Sequence, residues 1–577
     1  MIEKGVDYGP SLPISIETHS RKYRQDGETF RESQSRVANT LADNPEHFYS
    51  FRSILLPQRF LPAGRVQASI GSPRQTTAMN CFVSMEIPDS MDGIMKAAAQ
   101  AAQTMRLGGG IGYDFSTIRP KGDIIVSLDS KSSGVISFMQ IFDSVCKTVA
   151  SAGQRRGAQM GVLRVDHPDI EEFIEAKTNT TNLTQFNVSV GITDEFMRAV
   201  EKGKDFELKF NGRVYKRVDA KYLWDKIMRA TWDWAEPGVL YIDRINEMNN
   251  LYYAETICAT NPCGEQPLPP HGACLLGSFN MVKYLEPDEK HPDAYSFNWD
   301  LFEQDIPVVV RAMDNIYERT NFPLKEQELE AKNKRRMGLG VTAMANTGEA
   351  LGHEYGSPSY IRWQDKVLRT LANHSYAASA YLAAEKGPFP LYDAEHYPES
   401  KFVKKLHPDV QALIKAHGMR NSHLTSIAPT GTISLSADNV SSGIEPVFAH
   451  QYDRTIINDE GGSDVERVSD YGVRELNIRG KTADECTADE HLNVLIHASR
   501  WVDSAVSKTL NIGDDVPWED FKDIYVKAWK GGCKGCTTFR AAGERYGVLN
   551  KVDEPASEDE GAPACYIDPV TGQKECG

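Results

Sequence analysis

Residues 261–268 read NPCGEQPL, and this stretch tells more about the fold than any other part of the chain. Its two prolines exclude a regular helix, so Cys263 is predicted to lie in extended or turn backbone. In extended backbone alternate side chains share a face, which would point Asn261, Cys263 and Glu265 into one cavity as amide, thiol and carboxylate. Such a set suits a one-electron sulfur centre flanked by a base and a hydrogen-bonding group. The plainer alternative is a buried cysteine on a proline-rich loop.

Two further cysteines favour redox chemistry. Cys81 lies in MNCFVS and Cys274 lies in GACLLGSFN, and both runs are short, apolar and strand-like. Two strand-borne cysteines near a loop cysteine would form a dithiol that donates two electrons and becomes a disulfide.

Outward from these runs, short apolar stretches alternate with longer amphipathic ones. This alternation predicts an α/β fold, either a closed barrel or a large open sheet. The helical spacing of Val37, Leu41 and Phe48 predicts a helical region at residues 1–60, ahead of a catalytic domain at 61–540. The tail at 541–577 is acidic and rich in Pro, Gly and Ala, which predicts a mobile arm.

The composition excludes several classes of protein. The formal net charge of -16 argues against a nucleic-acid binder, which needs a basic face. No run approaches the roughly 20 apolar residues that span a bilayer, and no secretion signal is visible. The expected compartment is the cytoplasm, where the 10 cysteines should be reactive, ligating or buried rather than paired in a disulfide scaffold.

Several separated motifs occur together in one order. With LPAGR (61–65) and NC (80–81) upstream and CLLGSFN (274–280) downstream, NPCGEQPL resembles the catalytic subunit of ribonucleotide reductase, most closely its cobalamin-dependent class II branch. The resemblance extends from about residue 20 to 540. It implies a ten-stranded α/β barrel with the Cys263 loop threaded through its middle, where a thiyl radical is shielded from water.

The resemblance implies the conversion of ribonucleotides to 2′-deoxyribonucleotides for DNA synthesis. Cys263 becomes the thiyl radical that takes the 3′ hydrogen of the ribose, Glu265 is the base for the 3′ hydroxyl, and Asn261 hydrogen-bonds the sugar. Cys81 and Cys274 supply the reducing equivalents that replace the 2′ hydroxyl, and they finish as a disulfide. Diphosphate substrates and a homodimer are expected, with triphosphates left open.

The segment IAPTGTISLSADNVSSGIEP (427–446) resembles the substrate-phosphate loop of the family, and a Gly/Thr turn that caps a helix is the alternative. Its hydroxyls and backbone N–H groups are expected to cradle phosphate. Substrate binding is therefore assigned to Asn80, Thr430, Gly431, Thr432 and Ser434. The glycine run RLGGGIGYDF (106–115) lacks the βαβ layout of a dinucleotide site, and its glycines are expected to pack close to the active site instead.

Two segments resemble a specificity site for a deoxynucleotide or ATP effector. PDSMD (88–92) points to Asp89 and Ser90, and Arg119 lies where the first specificity loop is expected. SAGQRRGAQMG (151–161) resembles the second loop and contributes Arg155 and Arg156, with a solvated basic turn as the alternative. Because the LPAGR motif already begins at residue 61, we expect no N-terminal ATP-cone and no inhibition of overall activity by dATP.

The radical source follows from GGCKGCTTFR (531–540). The class I branch receives its radical from a metal-loaded second subunit through two adjacent tyrosines, and here Thr537 and Thr538 stand in their place. A threonine hydroxyl cannot relay an electron as a phenol can. Adenosylcobalamin is therefore the expected cofactor, a class I catalytic subunit is the alternative, and no protein side chain is predicted to hold a metal.

Cys565 and Cys576 in the tail are expected to re-reduce the active-site disulfide by thiol exchange. A thioredoxin- or glutaredoxin-like protein would then reduce the tail. A zinc site that joins them to Cys533 and Cys536 is the alternative, and otherwise this second pair has no assigned role. The remaining cysteines are expected to be structural: Cys146, Cys258 and Cys486.

Two other functions compete with this interpretation. A cysteine hydrolase would pair Cys263 with His271 or His423, but it would not need Cys81 or Cys274. A nucleotide-binding regulator would keep the effector loops and dispense with the catalytic set.

Overall fold

The structure is a computed structural model that describes residues 8–149, 158–178, 182–288, 294–457, 463–540, 549–551, 565–567 and 574–576. The described residues fall into two units, those within Met1–His450 and Asp470–Tyr546 and those within Gln451–Ser469 and Gly547–Gly577. None of the described helices is both long and apolar enough to cross a membrane.

The first unit holds the helices. In chain order they are α1 (Pro13–Tyr23), α2 (Phe30–Leu41), α3 (Pro45–Leu55), α4 (Gly64–Ser69), α5 (Met91–Arg106), α6 (Val135–Thr148), α7 (Ile170–Glu175), α8 (Asp194–Lys202), α9 (Ala220–Trp234), α10 (Ile242–Glu247), α11 (Trp299–Asp314), α12 (Ile316–Arg319), α13 (Lys325–Lys334), α14 (Met344–Ala350), α15 (Pro358–Lys386), α16 (Pro408–His417), α17 (Gly431–Leu435), α18 (Tyr471–Glu475), α19 (Ala488–Ser499) and α20 (Trp518–Lys530).

The strands are distributed over both units. In chain order they are β1 (Phe60–Pro62), β2 (Cys81–Val83), β3 (Gly110–Asp114), β4 (Ile124–Ile125), β5 (Ser130–Lys131), β6 (Gln159–Arg164), β7 (Phe186–Ile192), β8 (Asp205–Phe210), β9 (Arg213–Asp219), β10 (Gly238–Tyr241), β11 (Ala259–Thr260), β12 (Pro267–Leu268), β13 (Ala273–Cys274), β14 (Leu276–Asn280), β15 (Leu285–Pro287), β16 (Tyr295–Phe297), β17 (Gly338–Thr342), β18 (Gln451–Ile457), β19 (Ser463–Ser469), β20 (Thr509–Ile512), β21 (Gly535–Arg540), β22 (Leu549–Lys551), β23 (Cys565–Ile567) and β24 (Lys574–Cys576).

The largest sheet has eight strands in the order β13-β2-β3-β6-β7-β10-β21-β20. Strands β2, β3, β6, β7 and β10 run parallel to one another. Their residues are almost continuously buried, as expected where helices cover both faces of a parallel sheet. The predicted α/β class is confirmed, with a large sheet that is mostly parallel.

A smaller sheet has three strands in the order β1-β14-β17. β14 and β17 are parallel, and single parallel bridges link Leu339 to Thr425 and Ile427 to Val506. β13 and β14 are separated by Leu275 alone, so one extended stretch pairs with β2 at its start and with β17 further on.

The N-terminal helices form as their sequence predicts. α2 begins with a capping box of Thr29 and Glu32, and it buries Val37 and Leu41. α1 has no capping side chain of its own. Instead Asp438 Oδ1 accepts from the backbone N–H groups of Ser11 at 2.6 Å and Leu12 at 2.9 Å. This long-range cap fastens α1 beside the segment that follows α17.

In the second unit β18 pairs antiparallel with both β19 and β22. β23 and β24 form a separate antiparallel pair in which Cys565 lies opposite Cys576.

Candidate active site

Cys81 and Cys274 are paired residues of the antiparallel strands β2 and β13. Both are buried free thiols, and the Cys81 N–H donates to the Cys274 Sγ at 3.1 Å. Facing residues of antiparallel strands have Cα atoms roughly 4.5–5.5 Å apart, a separation that a disulfide spans. Burial, and then the neighbouring Cys81 side chain, raises the pKa of the Cys274 thiol well above its usual range. The fold therefore creates a buried dithiol from residues 193 positions apart.

Cys263 lies at the tip of a hairpin formed by β11 and β12. The backbone of 261–266 is turned rather than extended, and Asn261 Oδ1 accepts from the Gln266 N–H at 2.9 Å at the base of the turn. The turn, and not the alternation of a strand, brings Cys263 and Glu265 to the wall of one cavity. Glu265 is 2% exposed, whereas Cys263 is open to its surroundings.

The glycine run packs against both cysteine-bearing elements. A Cβ on Gly110 would lie 3.2 Å from the Cys81 Sγ and 3.0 Å from the Pro262 Cγ, and a Cβ on Gly112 would overlap the Thr260 carbonyl oxygen. Only glycine allows this approach of β3 to the Cys263 hairpin. The expected close packing of these glycines is confirmed, and they lie on a strand rather than in a phosphate-binding turn.

A cavity of about 390 Å³, here called the front cavity, contains most of the predicted substrate residues. Its lining comprises Lys22, Tyr23, Ala63, Gly64, Arg65, Ala68, Asn80, Cys81, Cys263, Glu265, Leu276, Gly277, Ser278 and residues 428–433.

Two amides belong to the predicted site: Asn80 lines the front cavity, whereas Asn261 is not among the described lining residues of either cavity. The buried Asn261 Nδ2 and Asn80 Oδ1 have no hydrogen-bond partner within the described ranges of the chain. Buried polar atoms normally find a partner, so both are available to a bound polar molecule.

The predicted phosphate loop forms one wall of the front cavity. A Cβ on Gly431 would meet nothing within 4 Å, and Thr432 is half-buried. The hydroxyls of Thr430 and Ser434 are 2.9 Å apart, and both contact the Thr342 hydroxyl, at 2.9 and 2.8 Å. Thr430 and Ser434 therefore hold the loop in shape through these bonds, whereas Gly431 and Thr432 are open to the cavity.

Cys263 also lines a second cavity of about 320 Å³, here called the strand cavity. Its walls come from β7, β10, the start of β21 and residues 506–509. Cys263 and Pro429 are the lining residues common to both cavities. Thr537 lines the strand cavity, and the buried Thr538 hydroxyl lies 2.9 Å from that of Tyr525.

The strand cavity has a buried cation that the sequence did not reveal. Lys508 donates to Glu445 Oε2 at 2.7 Å and lies 3.1 Å from the His491 Nδ1. Burial, and then the Lys508 charge, lowers the pKa of His491 to about 3, so this imidazole is a neutral acceptor. No motif marks these three residues, because they are brought together from separate segments.

No histidine lies among the described residues that line either cavity. His423 is buried and bonded to Arg336 and Asn249, and burial lowers its pKa well below the usual value. His271 also lies outside both linings. Neither histidine that a cysteine hydrolase would pair with Cys263 is therefore among the described residues that line the cavities beside it.

The described effector residues Asp89, Ser90 and Arg119 are not among the lining residues of either cavity. Asp89 and Arg119 form an ion pair at 2.9 Å, and Ser90 caps α5 by accepting from the Gly93 N–H. Arg155 and Arg156 lie outside the described residues. The side chains of Cys565 and Cys576 are likewise undescribed.

Cys533 and Cys536 are buried, and burial raises the pKa of Cys533 to about 12. Among the residues that the structure describes, no group of three or more His, Cys, Asp and Glu side chains could hold a metal ion.

The front cavity also uses residues that the sequence left without a role. Lys22 and Tyr23 at the end of α1 and the LPAGR segment form a wall of it. LPAGR was a visible motif, but no pattern in α1 linked it to residues beyond 400.

Comparison with known proteins identifies the family. A model described as the barrel domain of ribonucleotide reductase matches residues 79–484 and 473–539. A vitamin B12-dependent ribonucleoside-diphosphate reductase of Mycobacterium tuberculosis (strain CDC 1551 / Oshkosh) is 35% identical over 529 residues, which cover 87% of this chain and 73% of that protein. Another, from Thermoplasma acidophilum, is 31% identical over 550 residues, which cover 90% of this chain and 68% of that protein. The chain belongs to the ribonucleotide reductases, whose barrel domain it carries.

Proposed function

We propose that this protein is an adenosylcobalamin-dependent ribonucleoside-diphosphate reductase with its thiyl radical on Cys263. The observation that carries the proposal is the position of Cys263 between the strand cavity and the front cavity, which Cys81 and the phosphate loop line. The names of the relatives from M. tuberculosis and T. acidophilum support both the cofactor and the diphosphate substrate.

Side chains that line the front cavity would divide the reaction with two buried neighbours, Asn261 at the base of the Cys263 turn and Cys274 opposite Cys81. Cys263 takes the 3′ hydrogen of the ribose, Glu265 accepts the proton of the 3′ hydroxyl, and the open Asn261 Nδ2 donates to the sugar. Cys81 and Cys274 then supply two electrons and two protons, so the 2′ hydroxyl leaves as water, a C2′–H bond replaces it and a disulfide forms. Cys263 finally returns hydrogen to C3′.

Substrate binding falls to the remaining predicted residues. Asn80 Oδ1 is open to a donor on the nucleotide, and Gly431 and Thr432 offer N–H groups to phosphate. Thr430 and Ser434 would act by holding that loop.

The strand cavity would take the adenosyl end of the cofactor. At about 320 Å³ it is too small for a whole cobalamin, and it opens beside Cys263 between Gly238 and Gly535. Adenosylcobalamin bound there would supply the one-electron oxidation of the Cys263 thiol. Thr537 and Thr538 support this source over a second radical subunit, because neither can relay an electron as tyrosine does.

The strand pairings support a closed ten-stranded barrel. One half would be the parallel set from β2 to β10, and the other would be β21, β20, the 425–427 segment, β17 and β14. Antiparallel contacts join the halves twice, between β10 and β21 and between β2 and β13. The Cys263 hairpin would then lie inside it.

We also propose a homodimer. Five large apolar side chains are at least 49% exposed on α5 and the segment after Arg119: Met91, Met95, Ile124, Val126 and Leu128. Arg119 links the two elements, since it pairs with Asp89 and donates to the Ile124 carbonyl. Exposed apolar groups of this kind mark contact surfaces. Asp89, Ser90, Arg119, Arg155 and Arg156 would bind the effector at this end of the molecule.

The tail would reduce the active-site disulfide. The pairing of Cys565 with Cys576 in β23–β24 supports a second dithiol there, which a thioredoxin- or glutaredoxin-like protein would reduce.

The test is deoxynucleotide formation by the purified chain with CDP, dithiothreitol and an effector, with and without adenosylcobalamin. We expect turnover only with the cobalamin, and its loss in Cys263→Ala with CDP binding retained. Activity that instead requires a metal-loaded second subunit would overturn the cofactor assignment.

A further inference from the structure

The front cavity carries two cations that the chemistry above does not use. Lys22 and Arg65 line it together with the phosphate loop, and Glu265 is the one carboxylate among the described lining residues. The cavity of an otherwise acidic protein therefore has more positive than negative side chains, as a site for an anion requires.

Lys22 is held at the cavity by the anchoring of its helix. The Ser15 hydroxyl donates to the Leu435 carbonyl at 2.5 Å, and Asp438 caps the first turn of α1. Both partners belong to the same segment as the phosphate loop, just after Ser434 in the chain. At the other end of α1 the Tyr23 ring lies against Gly64, where a Cβ would be 2.8 Å from the ring. α1 thus connects the phosphate loop to α4, which carries Arg65.

Arg65 is held by the glycine run. A Cβ on Gly108 would overlap the guanidinium group of Arg65, and Gly108 has a φ of +94°. The guanidinium therefore lies directly against the backbone that leads into β3. A side chain fixed in this way loses little further freedom on binding a ligand.

We propose that Arg65 and Lys22 bind the terminal phosphate of the nucleotide and give the enzyme its preference for nucleoside diphosphates over monophosphates. The inference rests on the proposed function and adds a determinant of substrate class to it. The planar guanidinium of Arg65 offers paired donors that match phosphate oxygens, so it carries most of the discrimination. Lys22 is exposed and acts as a point charge that salt screens.

Equilibrium binding to the cofactor-free protein tests the proposal without turnover. The affinities for CDP, CMP and cytidine are measured calorimetrically for wild type, Arg65→Ala, Arg65→Lys and Lys22→Ala. Arg229→Ala is the matched control, because Arg229 lies on the exposed surface of α9. Unfolding midpoints establish that each variant is folded. If Arg65→Ala does not fold, Lys22→Ala, at the end of a helix, still tests whether the front-cavity cations bind the terminal phosphate.

We expect Arg65→Ala to weaken CDP binding about ten- to a hundredfold, as for a lost charge-assisted hydrogen bond. Arg65→Lys should fall between this variant and wild type. CMP should be affected less, and cytidine should bind unchanged. For Lys22→Ala we expect a loss of about threefold that fades at high salt.

Equal losses for CDP and cytidine, or no loss for CDP in either alanine variant, would overturn the inference. The proposed function fails by a different result, namely a wild-type protein that binds CDP but never reduces it with adenosylcobalamin.

Discussion

Thiols with different tasks have different surroundings in this protein. Cys263 is exposed between two cavities, where its single hydrogen can be removed and returned. Cys274 is fully buried with a raised pKa, so it is a neutral thiol near pH 7. A neutral buried thiol resists alkylation and oxidation by solutes, because the reactive form is the thiolate. Burial thus protects Cys274 from solutes.

Replacing one cysteine of the Cys81–Cys274 pair should stop catalysis while the protein still binds CDP. For Cys274→Ser we expect deoxynucleotide formation from CDP to fall at least about a hundredfold, while CDP binding changes less than about threefold. Cys258→Ser, at a half-buried cysteine outside both cavity linings, is the control and should retain activity. A Cys274→Ser enzyme with normal turnover would remove this cysteine from the mechanism.

Lys534 makes a pH-dependent contribution to stability. Its buried Nζ donates to the backbone carbonyls of Val502, Asp503 and Ser504, and burial lowers its pKa to about 7 from 10.5. Between these values the unfolded chain holds a proton that the folded chain has released. Stability due to Lys534 therefore rises with pH through this window, and it is lowest below pH 7, where the fold must bury an ammonium.

The prediction is tested against Lys534→Met by urea unfolding at pH 7 and pH 9. The free energy of unfolding of wild type, relative to the variant, should increase by about 2 kcal/mol between these two pH values. Parallel pH profiles for the two proteins would mean that Lys534 keeps its charge in the folded state.

Among the helices, α1 depends on a distant carboxylate. Asp438 accepts from the N–H groups of Ser11 and Leu12, which directly precede α1 and lie 427 and 426 residues away in sequence. Asp438→Ala should lower the free energy of unfolding by about 1–2 kcal/mol and speed proteolysis of α1. Asp438→Asn keeps the acceptor oxygen and should recover most of the loss. Equal effects of the two substitutions would show that charge, rather than the hydrogen bonds, matters here.

This anchor also shows where prediction from sequence ends. Proline spacing placed Cys263 off a helix, and apolar runs placed Cys81 and Cys274 on strands, because these signals are local. The register that sets Cys81 opposite Cys274 is a property of the folded sheet. The same holds for the joining of Lys22 to the phosphate loop, since the cap on Asp438 leaves no trace in the sequence around either partner.

At the scale of the whole protein, exposed apolar side chains are contributed by both α5 and the segment after Arg119. Val126 is 88% exposed and Leu128 is 71% exposed, which costs free energy unless a partner covers them. Val126→Asp should weaken self-association at least about tenfold, as measured by sedimentation velocity across a concentration series. Tyr222→Asp, at a 54% exposed aromatic residue on α9, should leave association unchanged. A Val126→Asp protein that associates like wild type would place the dimer contact elsewhere.

The position of Cys263 between two cavities has a kinetic consequence. The described linings of the two cavities share Cys263 and Pro429 and otherwise differ, so we expect nucleotides to exchange in the front cavity while the strand cavity stays occupied, and one activated protein to process many nucleotides in succession. A compound that fills the strand cavity should therefore inhibit non-competitively towards CDP, lowering the maximal rate while half-saturation stays the same. A phosphate analogue in the front cavity should inhibit competitively. Because Cys263 lies between the two cavities, we expect an inhibitor of one cavity to act independently of an inhibitor of the other.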